Sequence, residues 1–367
     1  MSSDEDERHM RLALRLAGRG RGRTSPNPMV GAVVVAGGEV IGSGWHRRAG
    51  EPHAEMLALH AAGSSARGST LYVTLEPCVH VGLTPPCVDA LVASGVRRVI
   101  AAMRDPDPRI RGRGFEALKA AGLAVEVGLL EHDARRLNEA YVTHRSTGRP
   151  FVVYKAASSL DGRIAAADGT SRWVTGERAR RDVHRLRAYA DAVCVGIGTV
   201  LADDPQLTVR HVIAARPPLR VVVDSAGRTP PAASVLSPDA ATLIAVTPSA
   251  PEGRVAALRE AGAEVLALPD HGGRVDLPAL LGALGRRGVL TLLLEGGGRL
   301  AGSFAAGGLI DRFVFYVAPA LIGGDGTRGP LEGWAAPSID EVARLRVESV
   351  RRIGEDLRVI ASPREAG

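Results

Sequence analysis

Pro52-His53-Ala54-Glu55, followed by Thr74-Leu75-Glu76-Pro77-Cys78 and Pro85-Pro86-Cys87, supplies one histidine, two cysteines and a glutamate two residues after the histidine. A catalytic zinc requires three protein ligands and one open position, because the fourth position holds the water that becomes the nucleophile. His53, Cys78 and Cys87 meet that count, whereas a fourth ligand would indicate a closed structural site. Zinc brings the pKa of water towards neutrality, and a carboxylate that is not itself a ligand can then carry the proton to a leaving amine. Glu55 is placed for that work.

His-x-Glu followed by Pro-Cys and a second Cys is the signature of zinc deaminases, which remove an exocyclic amine from a pyrimidine or purine ring. His-Ala-Glu alone would read as a capped helix start, so the conjunction carries the reading. Cysteine occurs three times in the chain, and two of the three sit in Pro-Cys and Pro-Pro-Cys settings downstream of His53. Cys78 and Cys87 are separated by eight residues, 79 to 86, where nucleic-acid-editing and cytidine deaminases usually carry Cys-x-x-Cys.

At 367 residues the chain exceeds one typical domain, and its 45% hydrophobic content can bury two cores. No apolar run approaches the roughly 18 residues of a membrane span. The N-terminus opens on Asp4, Glu5, Asp6 and Glu7, unlike a signal peptide, so a cytoplasmic protein without disulfides is expected. A net charge of +6 and a pI near 9.7 raise the question of nucleic acid. Lys119 and Lys155 are the only lysines, however, arginines alternate with acids, and aromatics for base stacking amount to 4%. Gly18-Arg19-Gly20-Arg21-Gly22-Arg23 reads as a solvated loop closing the first helix. The basic balance equally suits a small substrate carrying phosphate.

In the first half, residues 7 to 17 have helical spacing with Met10, Leu14 and Ala17 on one face. Strands are expected at Met29 to Ala36 and Val40 to Trp45, paired through Gly37-Gly38, and at Thr70 to Thr74, Val96 to Ala101 and Leu123 to Val127. Helices are expected from near His53, from Pro85 and from about Glu131 to His144. Cys87 thus falls in a first helical turn, where backbone amides favour thiolate. Ser146-Thr147-Gly148-Arg149-Pro150 reads as a polar linker, dividing the chain into domains 1–147 and 148–367.

The second half alternates strands at Phe151 to Ala157, Asp191 to Ile197, Leu219 to Asp224, Thr242 to Val246 and Val289 to Leu294 with helices at Gly176 to Tyr189, about 251 to 262 and 276 to 287. Asp311 to Ala318, Leu345 to Ile353 and Leu357 to Ala361 then read as strands, the last two forming a hairpin. Cys194, among valines, reads as a core residue. In Leu294-Glu295-Gly296-Gly297-Gly298-Arg299-Leu300 a strand runs into glycines that open a helix, where free amides and the lack of side chains would let a phosphate approach. Thr199 to Arg210 reads as a polar loop without an assigned role.

Asn27-Pro28-Met29-Val30-Gly31, His46, Gly50-Glu51-Pro52-His53-Ala54-Glu55, Tyr72-Val73-Thr74-Leu75-Glu76-Pro77-Cys78, Thr84-Pro85-Pro86-Cys87 and Met103-Arg104-Asp105-Pro106 closely resemble the deaminase half of the bifunctional riboflavin-biosynthesis family RibD. That family joins a diaminohydroxyphosphoribosylaminopyrimidine deaminase to a 5-amino-6-(5-phosphoribosylamino)uracil reductase, and the resemblance runs through essentially the whole chain. It implies an α/β protein: an N-terminal cytidine-deaminase-like α/β/α sandwich followed by a dihydrofolate-reductase-like α/β domain. By the resemblance, His53, Cys78 and Cys87 bind zinc, Glu55 is the proton donor, and Asn27, His46 and His80 contact the pyrimidine substrate. Ala157, Trp173, Thr199, Asp203, Ser225 and the run Gly297, Gly298, Arg299, Leu300, Ala301, Gly302 and Ser303 line an NADPH site. Ser171, Arg187, Leu207, Arg210 and Glu295 contact the substrate, with Arg187 and Arg210 suited to clamp its phosphate. Lys155, Asp203 and Glu295 are the polar groups that could assist ring opening or protonation. Relatives form homodimers or homotetramers. The sequence departs from the family at Val79, Val81 and Leu83, the last standing where a basic or polar residue is usual.

Two other readings compete. A nucleic-acid-editing deaminase with an unrelated C-terminal domain would explain the zinc motif and the basic pI, against the long cysteine gap and the scarcity of aromatics. A structural zinc would need a fourth ligand, for which His80 is the nearby residue.

Overall fold

The structure is a computed structural model and describes residues 4–79, 86–324 and 327–364. His80, Val81 and Leu83 lie outside the described residues. The chain divides into two compact units, Met1–Gly148 and Arg149–Gly367.

The first unit consists of α1 (Asp4–Ala17), β1 (Gly31–Ala36), β2 (Glu39–Trp45), α2 (Ala54–Ala62), β3 (Thr70–Val73), α3 (Cys87–Ser94), β4 (Arg98–Ala101), α4 (Arg113–Ala120), β5 (Ala124–Val127), α5 (Glu131–Leu137) and α6 (Glu139–Thr147). Its five-stranded sheet has the order β2-β1-β3-β4-β5, antiparallel on both sides of β1 and parallel from β3 to β5. The valine run of β1 is buried on both faces, as expected of a strand with helices above and below. Ala32 and Val34 pack with Ala54, Ala58, Leu91, Phe115 and Leu118 from α2, α3 and α4. On α1, the buried Asp6 accepts from the Tyr72 hydroxyl at 2.6 Å and from Arg98 at 3.1 Å, fixing that helix to β3 and β4. The approach of α2 is set by Gly42 of β2, where a Cβ would lie 2.2 Å from the Ala58 carbonyl oxygen. With any larger residue there, α2 and the residues at its start would be displaced.

The helix expected over 131–144 is instead two helices. Asn138 lies between them, 2% exposed, with its side chain accepting from the Met29 N–H at 2.8 Å and donating to the Met29 carbonyl at 2.9 Å. That two-point bond to a distant strand entry displaces the local helical geometry. The expected linker also gives way, because α6 continues to Thr147 and ends at Gly148, whose N–H bonds the His144 carbonyl at 2.9 Å.

The second unit consists of β6 (Phe151–Ser159), α7 (Glu177–Tyr189), β7 (Ala192–Gly196), α8 (Ile197–Asp203), β8 (Leu219–Val223), β9 (Thr242–Val246), α9 (Glu252–Glu260), β10 (Glu264–Ala267), β11 (Asp270–His271), β12 (Arg274–Val275), α10 (Leu277–Arg286), β13 (Thr291–Leu294), α11 (Gly298–Ala306), β14 (Arg312–Ala318), β15 (Leu345–Ile353) and β16 (Asp356–Pro363). Its nine-stranded sheet runs β10-β9-β8-β7-β13-β6-β14-β16-β15, parallel through β14 and closed by the antiparallel β15–β16 hairpin. The buried strands alternate between two cores. Ala192 and Cys194 of β7 face α10 and α11, whereas Val193 and Val195 face the side of Ile197, Val200 and Leu258. Cys194 is fully buried, and burial pushes its thiol up to about 12, as befits a core residue.

Candidate active sites

In the first unit the three expected metal ligands converge, although they come from three segments. His53 is the extended residue capping α2, Cys78 lies in the loop after β3, and Cys87 is the first residue of α3. Their donor atoms all lie within 4.8 Å of one another. His53 Nδ1 lies 3.1 Å from Cys87 Sγ and 3.6 Å from Cys78 Sγ. The Cys87 N–H donates to Cys78 Sγ at 3.4 Å, and the Val88 N–H to the Cys78 carbonyl at 3.3 Å. In this pair the hydrogen bond from Cys87 holds the Cys78 thiol well below its usual range, and that same bond holds the Cys87 proton in place. Two cysteines and one histidine, with one sulfur already thiolate-like, form a donor set that fits zinc. Glu55, one residue into α2, is 4% exposed, and burial pushes its carboxyl above the usual range.

His46 is 2% exposed and forms a relay behind the ligands. Its Nδ1–H donates to the Pro52 carbonyl at 3.3 Å, and its Nε2 accepts from the Asn27 amide at 3.1 Å. Desolvation by burial lowers its pKa, which agrees with a neutral ring in this arrangement. Both ring nitrogens are therefore used within the protein. The sequence expectation that His46 holds the pyrimidine is amended accordingly: its contacts fix the backbone immediately before His53, and Asn27, half-buried, is the member of the pair left at the surface of the site.

Sequence reading assigned no role to Glu76. It is 4% exposed and accepts from the backbone N–H groups of Asp105 (3.1 Å), Gly112 (3.0 Å) and Gly114 (2.9 Å), tying the 105–114 loop to the strand end that carries Cys78. An acidic residue immediately before the Pro-Cys pair was the available signal. Replacing Glu76 by Ala leaves three buried donors unsatisfied, and the expected cost is about 3 kcal/mol or more. Urea unfolding would show it, and competition with a chromophoric chelator should show faster zinc loss.

In the second unit several of the residues expected to bind ligands collect at the C-terminal ends of four neighbouring strands, β8, β7, β13 and β6, where open parallel sheets bind ligands. Ser225 follows β8, Thr199 follows β7, Glu295 to Gly297 follow β13, and Lys155 and Ala157 lie on β6. Glu295, 7% exposed, receives Arg187 Nε at 2.6 Å and Nη2 at 2.9 Å, with Lys155 Nζ at 4.0 Å. Burial alone would raise the Glu295 pKa, but the Arg187 charge and its paired hydrogen bonds hold it at about 2. The third Arg187 contact is the Thr208 carbonyl at 3.1 Å. Its side-on edge is thus occupied by Glu295, so the expected two-arginine clamp on phosphate is reduced to the exposed Arg210. Arg210 Nη1 is steadied by Gln206 (2.9 Å) and Thr208 Oγ1 (3.0 Å).

Several other expectations change. Thr199 to Asp203 belong to α8 rather than to a loop. Leu207 is 2% exposed and its side chain is part of the hydrophobic core, so only its backbone can meet a ligand. Gly298 and Gly302 serve packing: a Cβ on them would lie 2.5 Å from the Gly329 carbonyl oxygen and 2.0 Å from that of Glu332. Thr199 Oγ1 accepts the Gly297 N–H at 3.0 Å, so that amide is already bonded. Ala301 and Gly302 are buried, which leaves Gly297, Arg299, Leu300 and Ser303 as the reachable part of the run. Ser171 Oγ donates to Asp203 at 3.4 Å, and Ser225 Oγ accepts the Val275 N–H at 3.1 Å. Trp173 is 67% exposed with Arg180 stacked 4.7 Å from its ring, and the preceding Arg172 donates to the Asp203 carbonyl.

Fold and sites together define a zinc-binding deaminase unit and a reductase unit in one chain. Family models match in two places: "Cytidine and deoxycytidylate deaminase zinc-binding region" over residues 3–103 and "RibD C-terminal domain" over residues 150–359. The chain belongs to the RibD family of riboflavin biosynthesis proteins. It is 43% identical to the riboflavin biosynthesis protein RibD of Aquifex aeolicus, over 97% of this chain and 98% of that protein. It is 41% identical to that of Escherichia coli, over 96% and 98%. Among solved structures, RibD of Acinetobacter baumannii superposes with a TM-score of 0.90 at 40% identity, covering 98% of this chain and 99% of that one. A diaminohydroxyphosphoribosylaminopyrimidine deaminase/5-amino-6-(5-phosphoribosylamino)uracil reductase from Thermotoga maritima gives 0.86 at 34%, with the same coverage. Among the described residues, no helix is long and apolar enough to cross a membrane.

Proposed function

We propose that this chain catalyses two successive steps of riboflavin biosynthesis: hydrolytic deamination of 2,5-diamino-6-(5-phosphoribosylamino)pyrimidin-4(3H)-one to 5-amino-6-(5-phosphoribosylamino)uracil, then reduction of the ribosyl to the ribityl side chain. Residues 1–147 perform the first step and 148–367 the second. The observation that carries the reading is the convergence of His53, Cys78 and Cys87 beside the buried Glu55. A nucleic-acid-editing enzyme with an unrelated second domain is disfavoured, because the second unit matches the RibD C-terminal domain over residues 150–359.

His53, Cys78 and Cys87 hold the zinc, which when bound makes water a nucleophile at neutral pH. Glu55, buried but not a ligand, takes the proton and returns it to the departing amine as ammonia forms. Asn27 orients the pyrimidine, and His46 orients Asn27 and the backbone before His53. His80 is assigned to the substrate by family resemblance alone. In the second unit a bound NADPH would be the source of hydride for reduction of the opened ribose. Thr199, Ser225 and the exposed part of the 297–303 run line its site, together with Ala157, Trp173 and Asp203. Arg210 meets the phosphate, while Arg187 keeps Glu295 ionised beside Lys155, so that these two side chains flank the reacting sugar. Cys78, Cys87 and Cys194 form no disulfide with one another, and we infer a cytoplasmic protein and a homo-oligomer from the family.

The test follows both steps in one tube. Protein given the diaminopyrimidine should release ammonia without NADPH and then oxidise NADPH once it is added. Dialysis against a chelator should abolish ammonia release, with zinc restoring it, while NADPH oxidation with the deaminated substrate persists. Ammonia release that survives complete zinc removal would refute the assignment.

A further inference from the structure

Helix α7 presents His184 and Arg187, about one turn apart, to the backbone of residues 208 and 210. Arg187 donates to the Thr208 carbonyl at 3.1 Å, and His184 Nδ1 accepts the Arg210 N–H at 3.0 Å. Two side chains thus take the carbonyl of one residue and the amide of the second residue after it, the pairing that a neighbouring strand would offer. This segment needs such support. Asp204, Leu207 and His211 have φ values of 40°, 53° and 64°, a region costly for residues bearing a Cβ. At one end Leu207 is anchored in the core, and at the other the His211 ring meets His184 edge-on at 5.3 Å between centroids.

His184 is 7% exposed, and because its Nδ1 is the acceptor, the ring hydrogen resides on Nε2. Burial, with the charges of Arg187 and Arg210, pushes its pKa down to about 4, so the acceptor persists at neutral pH.

We propose that His184 is a positioning residue of the reductase half: by accepting the Arg210 N–H it fixes the turn that aims the Arg210 guanidinium at the phosphate of the substrate. The inference rests on the reading that Leu207 to Arg210 face the reductase substrate. His184 acts through Arg210, so it governs KM and leaves kcat nearly unchanged.

The test uses the full chain, 5-amino-6-(5-phosphoribosylamino)uracil and NADPH. His184→Ala should raise KM for the uracil substrate about tenfold, the effect of one lost backbone hydrogen bond on an aligned group, with kcat within about twofold. A kcat near wild type reports an intact reductase unit, since ammonia release reports on the other unit alone. His184→Asn, which carries its carbonyl oxygen near the place of Nδ1, should keep KM within about threefold of wild type, and His184→Gln, whose polar end falls near Nε2, should not. The Asn and Gln pair decides the matter even if the alanine variant fails to fold. Equal KM for those two, or a fall in kcat at unchanged KM, overturns the proposal. Arg210→Ala separates the two levels of inference. If it leaves KM unchanged, the substrate reading has failed; if it raises KM while the His184 variants do not, only the role of His184 has.

Discussion

Glu55→Gln should lower the rate of ammonia release by about a hundred- to ten-thousand-fold, the range expected for loss of a general acid/base. The substitution keeps the size of a side chain that is 4% exposed, so packing of α2 is conserved and zinc content should be unchanged. Reduction of already deaminated substrate should continue at the wild-type rate, because the groups assigned to that step lie in a separate compact unit. Ammonia assay, zinc analysis and NADPH absorbance on one preparation separate these outcomes. Parallel loss of both activities would argue against two independent sites, and retention of ammonia release would remove Glu55 from the chemistry.

The second large effect is expected at Glu295. Replacing it by Gln leaves Arg187 facing a neutral amide and Lys155 without its counter-charge, in a buried setting where breaking such a pair costs about 3–5 kcal/mol. Reductase activity should fall by at least about a hundredfold, since the loss combines a misplaced Arg187 with an unneutralised Lys155. The stability difference has a distinct pH dependence. The Glu295 pKa is depressed from 4.5 to about 2 in the folded protein, so its contribution is fully present above about pH 4.5 and is lost as pH falls towards 2. Urea unfolding of wild type and Glu295→Gln should therefore differ by a constant amount from pH 7 down to about 5 and converge below it. A gap that stayed constant down to pH 2 would mean that the carboxylate charge is not what stabilises the site.

The legibility of the molecule varied with the range of the interactions involved. Valine-rich runs and helical spacing located most elements, and Thr242–Val246 and Leu345–Ile353 appear at the expected residues. Short α8 escaped, because seven residues containing Gly198 and Thr199 carry little helical signal. Asn138 broke a helix that its neighbours favour, through bonds to Met29, 109 positions away. In the glycine run the composition suggested access for an anion, whereas the contacts of Gly298 and Gly302 with residues 329 and 332 show that most of the smallness serves packing.

By itself the sequence determined the chemistry of the first site, because zinc selects ligands by donor type, and cysteine is scarce enough in this chain for its pattern after His53 to be informative. It also determined the alternation of strands and helices, which depends on local periodicity. The tertiary structure alone decided which charged groups act together. Arg187 and Glu295 are 108 positions apart, and Arg210 depends on His184 26 positions earlier. A guanidinium in a sequence can serve a phosphate, a carboxylate or a carbonyl equally well, and only the geometry of the folded chain determines which of them occupies its donors.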